Sequence, residues 1–147
     1  MKKEDYLKYP TKPFEVKEKI KVYELLEALG SCSFQGRNLS QALKVWEKML
    51  TTDTFIFLGL AGALVPAGMR KVIAYLIQER YIDCLVSTGA NLFHDIHETI
   101  GKYHYLGSAQ INDAKLREAK VDRIYDTFAA EEEFIATDNL ISQWAEE

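Results

Sequence analysis

Two glycine-bearing turns carry the residue types best suited to holding a ligand. The first is Gly59-Leu-Ala-Gly62-Ala-Leu-Val-Pro-Ala-Gly68 and the second is Ser87-Thr-Gly-Ala-Asn91. Small residues between a strand and a helix let backbone N–H groups and the positive helix end approach a pyrophosphate. The first turn lacks the G-x-G-x-x-G fingerprint, so taken alone it reads more simply as a tight structural turn. The second strengthens it, because ligands of open α/β sheets lie outside the carboxyl ends of the strands, where both turns fall. A third candidate is Asn91-Leu-Phe-His-Asp-Ile-His-Glu98, in which His94, His97 and Glu98 share helical spacing. Structural metal sites usually need four ligands, and the remaining histidine, His104, lies beyond Gly101, so no metal is expected. The histidines otherwise face solvent or an interface, Asp95 caps or pairs locally, and His94, nearest the turn, is the one expected to reach a ligand. Arg70 and Lys71 read as a solvated face rather than as phosphate contacts, and Ser31 to Arg37 reads as a connector. No serine has the G-x-S-x-G setting of an elbow nucleophile.

These turns need elements to hold them. Thr54 to Gly59 and Ile82 to Ser87 are short and largely apolar rather than alternating, as strands buried on both faces should be. Pro66 opens a helical pattern through Met69, Val72, Ile73, Leu76 and Ile77 to Arg80, which makes the crossover of a β-α-β unit. A further helix runs from the second turn to about Ile100, where Gly101 ends it, and Val121 to Phe128 reads as a third strand. Upstream, an extended arm occupies 1–16, with two of the three prolines. A helix over about 16–29 stops at Gly30, and another over about 39–51 opens on an Asn38/Gln41 capping box. A last helix starts at Thr137 or Asp138 and ends on Glu146 and Glu147, whose charges crowd the negative end of its dipole. The fold class is α/β with a parallel sheet and helices on both faces. Two firm strands and a third are few for such a sheet, so completion by another polypeptide is expected.

Composition narrows the function. Eighteen basic and 22 acidic residues among 147 give a net charge of −4, which offers no general attraction to nucleic acid or to an anionic membrane surface. The longest stretch free of charge, Thr54 to Met69, is too short and too rich in glycine to span a bilayer. The first residues alternate acids and lysines and contain no apolar run, unlike a secretory signal, so the expected compartment is the cytoplasm. Cys32 and Cys84 have no CxxC spacing and read as reduced thiols.

Three segments together resemble deoxyhypusine synthase and its bacterial homologues. They are Leu25-Leu-Glu-Ala-Leu-Gly-Ser-Cys-Ser-Phe-Gln35, Phe57-Leu-Gly-Leu-Ala-Gly-Ala-Leu-Val-Pro-Ala-Gly-Met-Arg70 and Asp83-Cys-Leu-Val-Ser-Thr-Gly-Ala-Asn-Leu-Phe-His-Asp95. The similarity runs through nearly the whole chain but corresponds to about the amino-terminal half of that family's polypeptide. It implies a Rossmann-like NAD-binding domain over 17–147, following the arm at 1–16. It further implies NAD-dependent transfer of the aminobutyl group of spermidine to a lysine of the hypusine-bearing translation factor or, in homospermidine-forming relatives, to a diamine.

Carried over by position, the family's NAD contacts fall on Gly62, Ala63, Leu64, Val65 and Pro66, and on Thr88, Gly89 and Ala90. Phe93, His94 and Asp95 occupy the substrate side. The eukaryotic form has Glu-Glu-Asp where this chain has Phe93-His94-Asp95, and the loss of two carboxylates changes how a polycation is recognised. The family's catalytic lysine belongs to the other half, so no catalytic residue is assigned within this chain. The resemblance therefore implies one subunit of a split enzyme, partnered by a carboxyl-terminal-half chain in a tetramer-like hetero-oligomer. The alternatives are a non-catalytic regulatory subunit of a full-length homologue, a truncated chain or a gene remnant.

Overall fold

The computed structural model describes residues 2–147, and the chain divides between Thr54 and Phe55 into two units. The division falls inside the 17–147 span that the resemblance assigns to one domain. In the first unit a single helical turn, α1 (Lys3–Tyr6), precedes an extended stretch and the helix pair α2 (Val22–Leu29) and α3 (Phe34–Thr51). The expected first helix is shortened at its start. Residues 16–19 and Lys21 are exposed and give that turn little to pack, so α2 begins after Lys21, whose backbone N–H donates to the Glu24 carboxylate at 3.2 Å. The next helix is longer than the capping box suggests. It opens after Ser33, leaving Asn38 inside α3, where its side chain donates to Gln35 Oε1 at 3.1 Å.

Gly30 ends α2 as expected, but for a different reason. Its φ of −60° is ordinary, and what it supplies is close approach: a Cβ there would lie 2.8 Å from Ser40 Oγ. Ser40 is buried, and its hydroxyl has no hydrogen-bond partner. Gly30→Ala is expected to destabilise the unit by about 1–2 kcal/mol through overpacking. Ser40→Ala should be near neutral because it removes an unsatisfied hydroxyl, and the double variant should recover most of the loss. Denaturant titration of the three variants checks this coupling.

The second unit holds the expected β-α-β. Strands β1 (Phe57–Leu60) and β2 (Cys84–Ser87) run parallel, with Phe57 opposite Cys84 and Leu60 opposite Ser87. The crossover is a short helical turn, Val65–Met69, with Pro66 at its start and a kink at Gly68, whose φ is +86°, leading into α4 (Arg70–Gln78). After β2 comes α5 (Gly89–Thr99). Gly101 takes a φ of +83° and closes a Schellman turn, in which Lys102 N–H donates to the His97 carbonyl and Gly101 N–H to the Glu98 carbonyl.

The expected third parallel strand is corrected. Val121 to Phe128 is not one strand, because the chain reverses at Tyr125, which has a φ of +56°. Strands β3 (Tyr105–Leu106), β4 (Val121–Ile124) and β5 (Thr127–Ala130) form a separate antiparallel sheet ordered β3-β5-β4, with α6 (Asp113–Glu118) before β4. The last helix, α7 (Glu131–Glu146), starts six residues before Thr137. Glu131, Glu132 and Glu133 occupy its first turn and complement the positive end of its dipole, which makes Thr137 an interior residue rather than a cap.

The parallel sheet is covered unevenly. On one face, Leu60 is buried while Leu58, Leu85 and Ser87 are half-buried. On the other, Phe57 is 65% and Val86 59% exposed. Buried apolar side chains are few: Ile56, Leu60, Val65, Ile82, Leu116 and Ala129. The chain exposes 11771 Å². Two separate globules the size of these units would together expose roughly 9,200 Å². Among the described residues, helices therefore do not cover both faces of the parallel sheet. No helix among the described residues is long and apolar enough to cross a membrane.

Candidate functional site

Both glycine-bearing turns lie at the carboxyl ends of the parallel strands, and Asn91 joins them. Thr88 N–H donates to the Leu60 carbonyl at 3.1 Å, which sets the end of β2 beside the end of β1. The Asn91 side chain, 1% exposed, donates from Nδ2 to the Leu60 carbonyl and to Thr88 Oγ1, both at 3.3 Å. Its Oδ1 accepts Val65 N–H at 3.5 Å, the longest of the three contacts. Because Val65 N–H can only donate and the Leu60 carbonyl can only accept, the amide orientation is fixed.

The sequence-assigned residues divide by what they expose. Gly62, Thr88, Gly89 and Ala90 are exposed, and Leu64 is largely so. Gly62 has a φ of +72°, and a Cβ at Gly62 or Gly89 would meet no atom within 4 Å, so both glycines border open space. Val65 and Pro66 are buried; Val65 N–H is engaged by Asn91, and proline has no N–H, so neither has a free donor for a ligand. Thr88 stands at the N-cap of α5 without a side-chain capping bond, which leaves the first N–H groups of that helix open.

Phe93, His94 and Asp95 separate onto two sides of α5. Asp95 pairs with Arg70 Nε at 2.5 Å, while Arg70 Nη2 donates to Thr99 Oγ1 at 2.6 Å. Arg70 is therefore paired while still partly exposed, and the partner of Asp95 lies on another helix rather than nearby in sequence. A groove of about 450 Å³ opens on this side, with Ile73, Ile77, Leu85 and Leu92 in its lining and Arg70 and Asp95 among its polar groups.

Phe93 and His94 instead enter a buried aromatic cluster. Phe93 stacks on His97 at 6.3 Å and meets Phe134 edge-on at 5.4 Å. His94 Nδ1 lies 3.0 Å from His104 Nε2, and His104 Nδ1 donates to Glu98 Oε1 at 2.8 Å. Burial, then the neighbouring His104 and His97, push the His94 pKa down to about 4 against the pull of Glu98. His97 is fully buried. Thr137 Oγ1 donates to the Glu133 carbonyl at 2.8 Å, so His97 Nδ1–H donates to Thr137 Oγ1 at 2.9 Å. Burial also lowers the His97 pKa, with His104 adding to the effect. His94 and His97 thus face other side chains rather than solvent, and no group of three or more His, Cys, Asp or Glu side chains arranged to hold a metal occurs among the described residues.

Two of these placements were missed from the sequence. In sequence His104 lies beyond Gly101, yet the Schellman turn at that glycine folds the chain back and brings His104 against α5. Asn91 was read as part of a turn rather than as the side chain joining two. An asparagine in the first turn of a helix that follows a strand is a signal for that role, since its side chain reaches nearby backbone.

A sequence model of the deoxyhypusine synthase family matches residues 24–147. A protein named probable deoxyhypusine synthase 2, from Methanosarcina mazei, is 58% identical over 139 residues, covering 94% of this chain and 40% of that protein. Another of that name, from Archaeoglobus fulgidus, is 55% identical over 116 residues, covering 78% and 39%. A deoxyhypusine synthase-like protein of Chlorobaculum tepidum is 36% identical over 144 residues, covering 97% and 41%. The chain spans about two fifths of the length of these relatives. With the matched span taking in both strand-end turns and all of α5, the chain belongs to the deoxyhypusine synthase family.

Proposed function

We propose that this chain is the amino-terminal-half subunit of a split deoxyhypusine synthase-like enzyme. In this reading the enzyme is an NAD-dependent transferase that moves the aminobutyl group of spermidine to a protein lysine or a diamine. The observation that carries the reading is the junction of the two strand-end turns. Gly62, Ala63 and Leu64 form no intrachain backbone hydrogen bond through N–H, α5 opens without a side-chain cap, and open space borders Gly62 and Gly89. Such a cradle of free donors suits a pyrophosphate, so the residues present fit NAD.

The N–H groups of Gly62, Ala63 and Leu64, with those of Gly89 and Ala90, would hold the phosphates, and the Thr88 hydroxyl would donate beside them. NAD, when bound, supplies a hydride acceptor for the polyamine and later returns the hydride. Val65 and Pro66 support the first turn from below. His94, held neutral, brings no anion to a polycationic substrate, and Asp95 is already paired with Arg70. The carboxylates that recognise spermidine, and the lysine nucleophile, would thus come from a carboxyl-terminal-half partner. That partner also supplies cover for the open sheet face around Phe57 and Val86, in a tetramer-like hetero-oligomer of the cytoplasm.

The test is co-purification of the chain with such a partner, followed by assay of diaminopropane release from spermidine with NAD. Activity requiring both chains is the expected result, and a partner-independent, inactive chain would overturn the proposal. Ala90→Trp gives a sharper check. Ala90 is exposed in the first turn of α5, so the fold accommodates a larger side chain there. NAD affinity of the assembled enzyme should fall at least roughly tenfold, a loss of about 1.4 kcal/mol, with melting temperature unchanged.

A second reading, a non-catalytic regulatory subunit of a full-length homologue, is favoured by one observation. Phe93 and His94 are packed into a buried cluster at the positions where the eukaryotic family has two glutamates. Unchanged turnover of the complex after Gly62 and His94 are both substituted would select it.

A further inference from the structure

We infer that Asn91 is a positioning residue that locks the two turns into one site and fixes the Thr88 hydroxyl as a donor toward the ligand. The inference rests on the proposed NAD site and adds to it a residue absent from the carried-over contacts. Both hydrogens of Asn91 Nδ2 are committed, one to the Leu60 carbonyl and one to Thr88 Oγ1, each at 3.3 Å. A hydroxyl oxygen that accepts a hydrogen bond keeps its own proton to donate. Thr88 makes no capping bond within α5, and its residue is exposed, so that proton is available at the open edge. A ligand acceptor such as a phosphate or ribose oxygen meets that proton.

The same side chain sets the spacing between the turns. Among the described residues Val65 N–H has no backbone acceptor, and its one partner is Asn91 Oδ1, 3.5 Å away across 26 residues of sequence. Leu60 ends β1, Val65 opens the turn before α4 and Thr88 precedes α5, so one amide touches three segments that border the cradle.

Two measurements on the assembled protein separate this inference from the NAD reading. The first is amide hydrogen exchange without cofactor. Asn91→Ala should speed exchange at Val65 at least roughly tenfold, about 1.4 kcal/mol, with exchange at Leu58 and Leu85 unchanged. The second is NAD titration by calorimetry. Asn91→Ala and Thr88→Val should each weaken binding about tenfold or more, while Thr88→Ser retains it. Asn91→Asp should weaken it further, because a carboxylate would take the Thr88 proton for itself and face the Leu60 carbonyl oxygen. Unchanged Val65 exchange in Asn91→Ala overturns the positioning role, and full affinity in Thr88→Val overturns the donor role. Wild-type protein that binds no NAD, yet shows the exchange effect, overturns the cofactor reading and leaves the positioning role standing.

Discussion

Phe57→Asp is expected to leave the chain folded and to abolish its assembly with the proposed carboxyl-terminal-half partner. Phe57 and Val86 lie on the same sheet face, since Phe57 pairs with Cys84 and Gly59 with Val86 in the parallel register. Phe55 extends the patch, its ring 4.9 Å from that of Phe57. With Phe57 65% and Val86 59% exposed, neither contributes much to the core of the isolated chain. Covering the two side chains would remove roughly 200 Å² of apolar surface from water, worth about 5 kcal/mol before the costs of association. An aspartate in the same place would be desolvated without a partner. Affinity should fall by at least about a hundredfold, about 2.7 kcal/mol, in sedimentation or light scattering, with the circular dichroism spectrum unchanged. Undiminished assembly of the Phe57→Asp variant would place the interface elsewhere and remove the main structural support for a partner.

What could be read from the sequence follows how local the physics is. The two parallel strands, the proline-led crossover and the stop at Gly101 are set by residue type within a few positions, and all of them are present. The open sheet face follows from counting strands, because a two-stranded parallel sheet cannot cover itself. The failures involve competition with distant contacts. Asn38 and Gln41 match a capping box, yet the helix extends back to Phe34. Val121 to Phe128 has the composition of one strand, but a left-handed residue at Tyr125 turns it into a hairpin. Thr137 has a capping residue's chemistry and spends it on His97, 40 residues away.

The site shows the same division. That two turns share one edge follows from parallel strand direction alone, and the structure sets them side by side through Thr88 and Leu60. That Arg70 meets Asp95, or that His94 meets His104, depends on how helices and a reversing turn are placed, which spacing does not encode. Helical spacing put His94, His97 and Glu98 within reach of one another, but not which partner each would take.

The histidine cluster makes the fold acid-sensitive between pH 6.5 and 4. His94 is 7% exposed, and its folded pKa, about 4, lies below the ordinary value of 6.5. Over that interval the unfolded chain binds a proton that the folded chain refuses, so stability rises with pH. The contribution is complete above pH 6.5 and is lost as pH falls toward 4. At 1.36 kcal/mol per unit it amounts to about 3 kcal/mol. His97 is shifted in the same direction and adds to it. The surrounding charges divide: Glu98 on α5 and Glu133 on α7 favour protonation, while Lys102 and His104, in the segment after α5, oppose it. Burial outweighs the carboxylates because both histidines sit against the rings of Phe93 and Phe134. His94→Gln should be less stable at pH 7 through lost ring packing, but its stability should fall about 2 kcal/mol less than that of wild type between pH 7 and pH 4.5. Denaturant titration at the two pH values gives that difference directly. Equal pH dependence in variant and wild type would mean that His94 accepts its proton in the folded state, and that the Glu98–His104–His94 chain opens to water before the fold does.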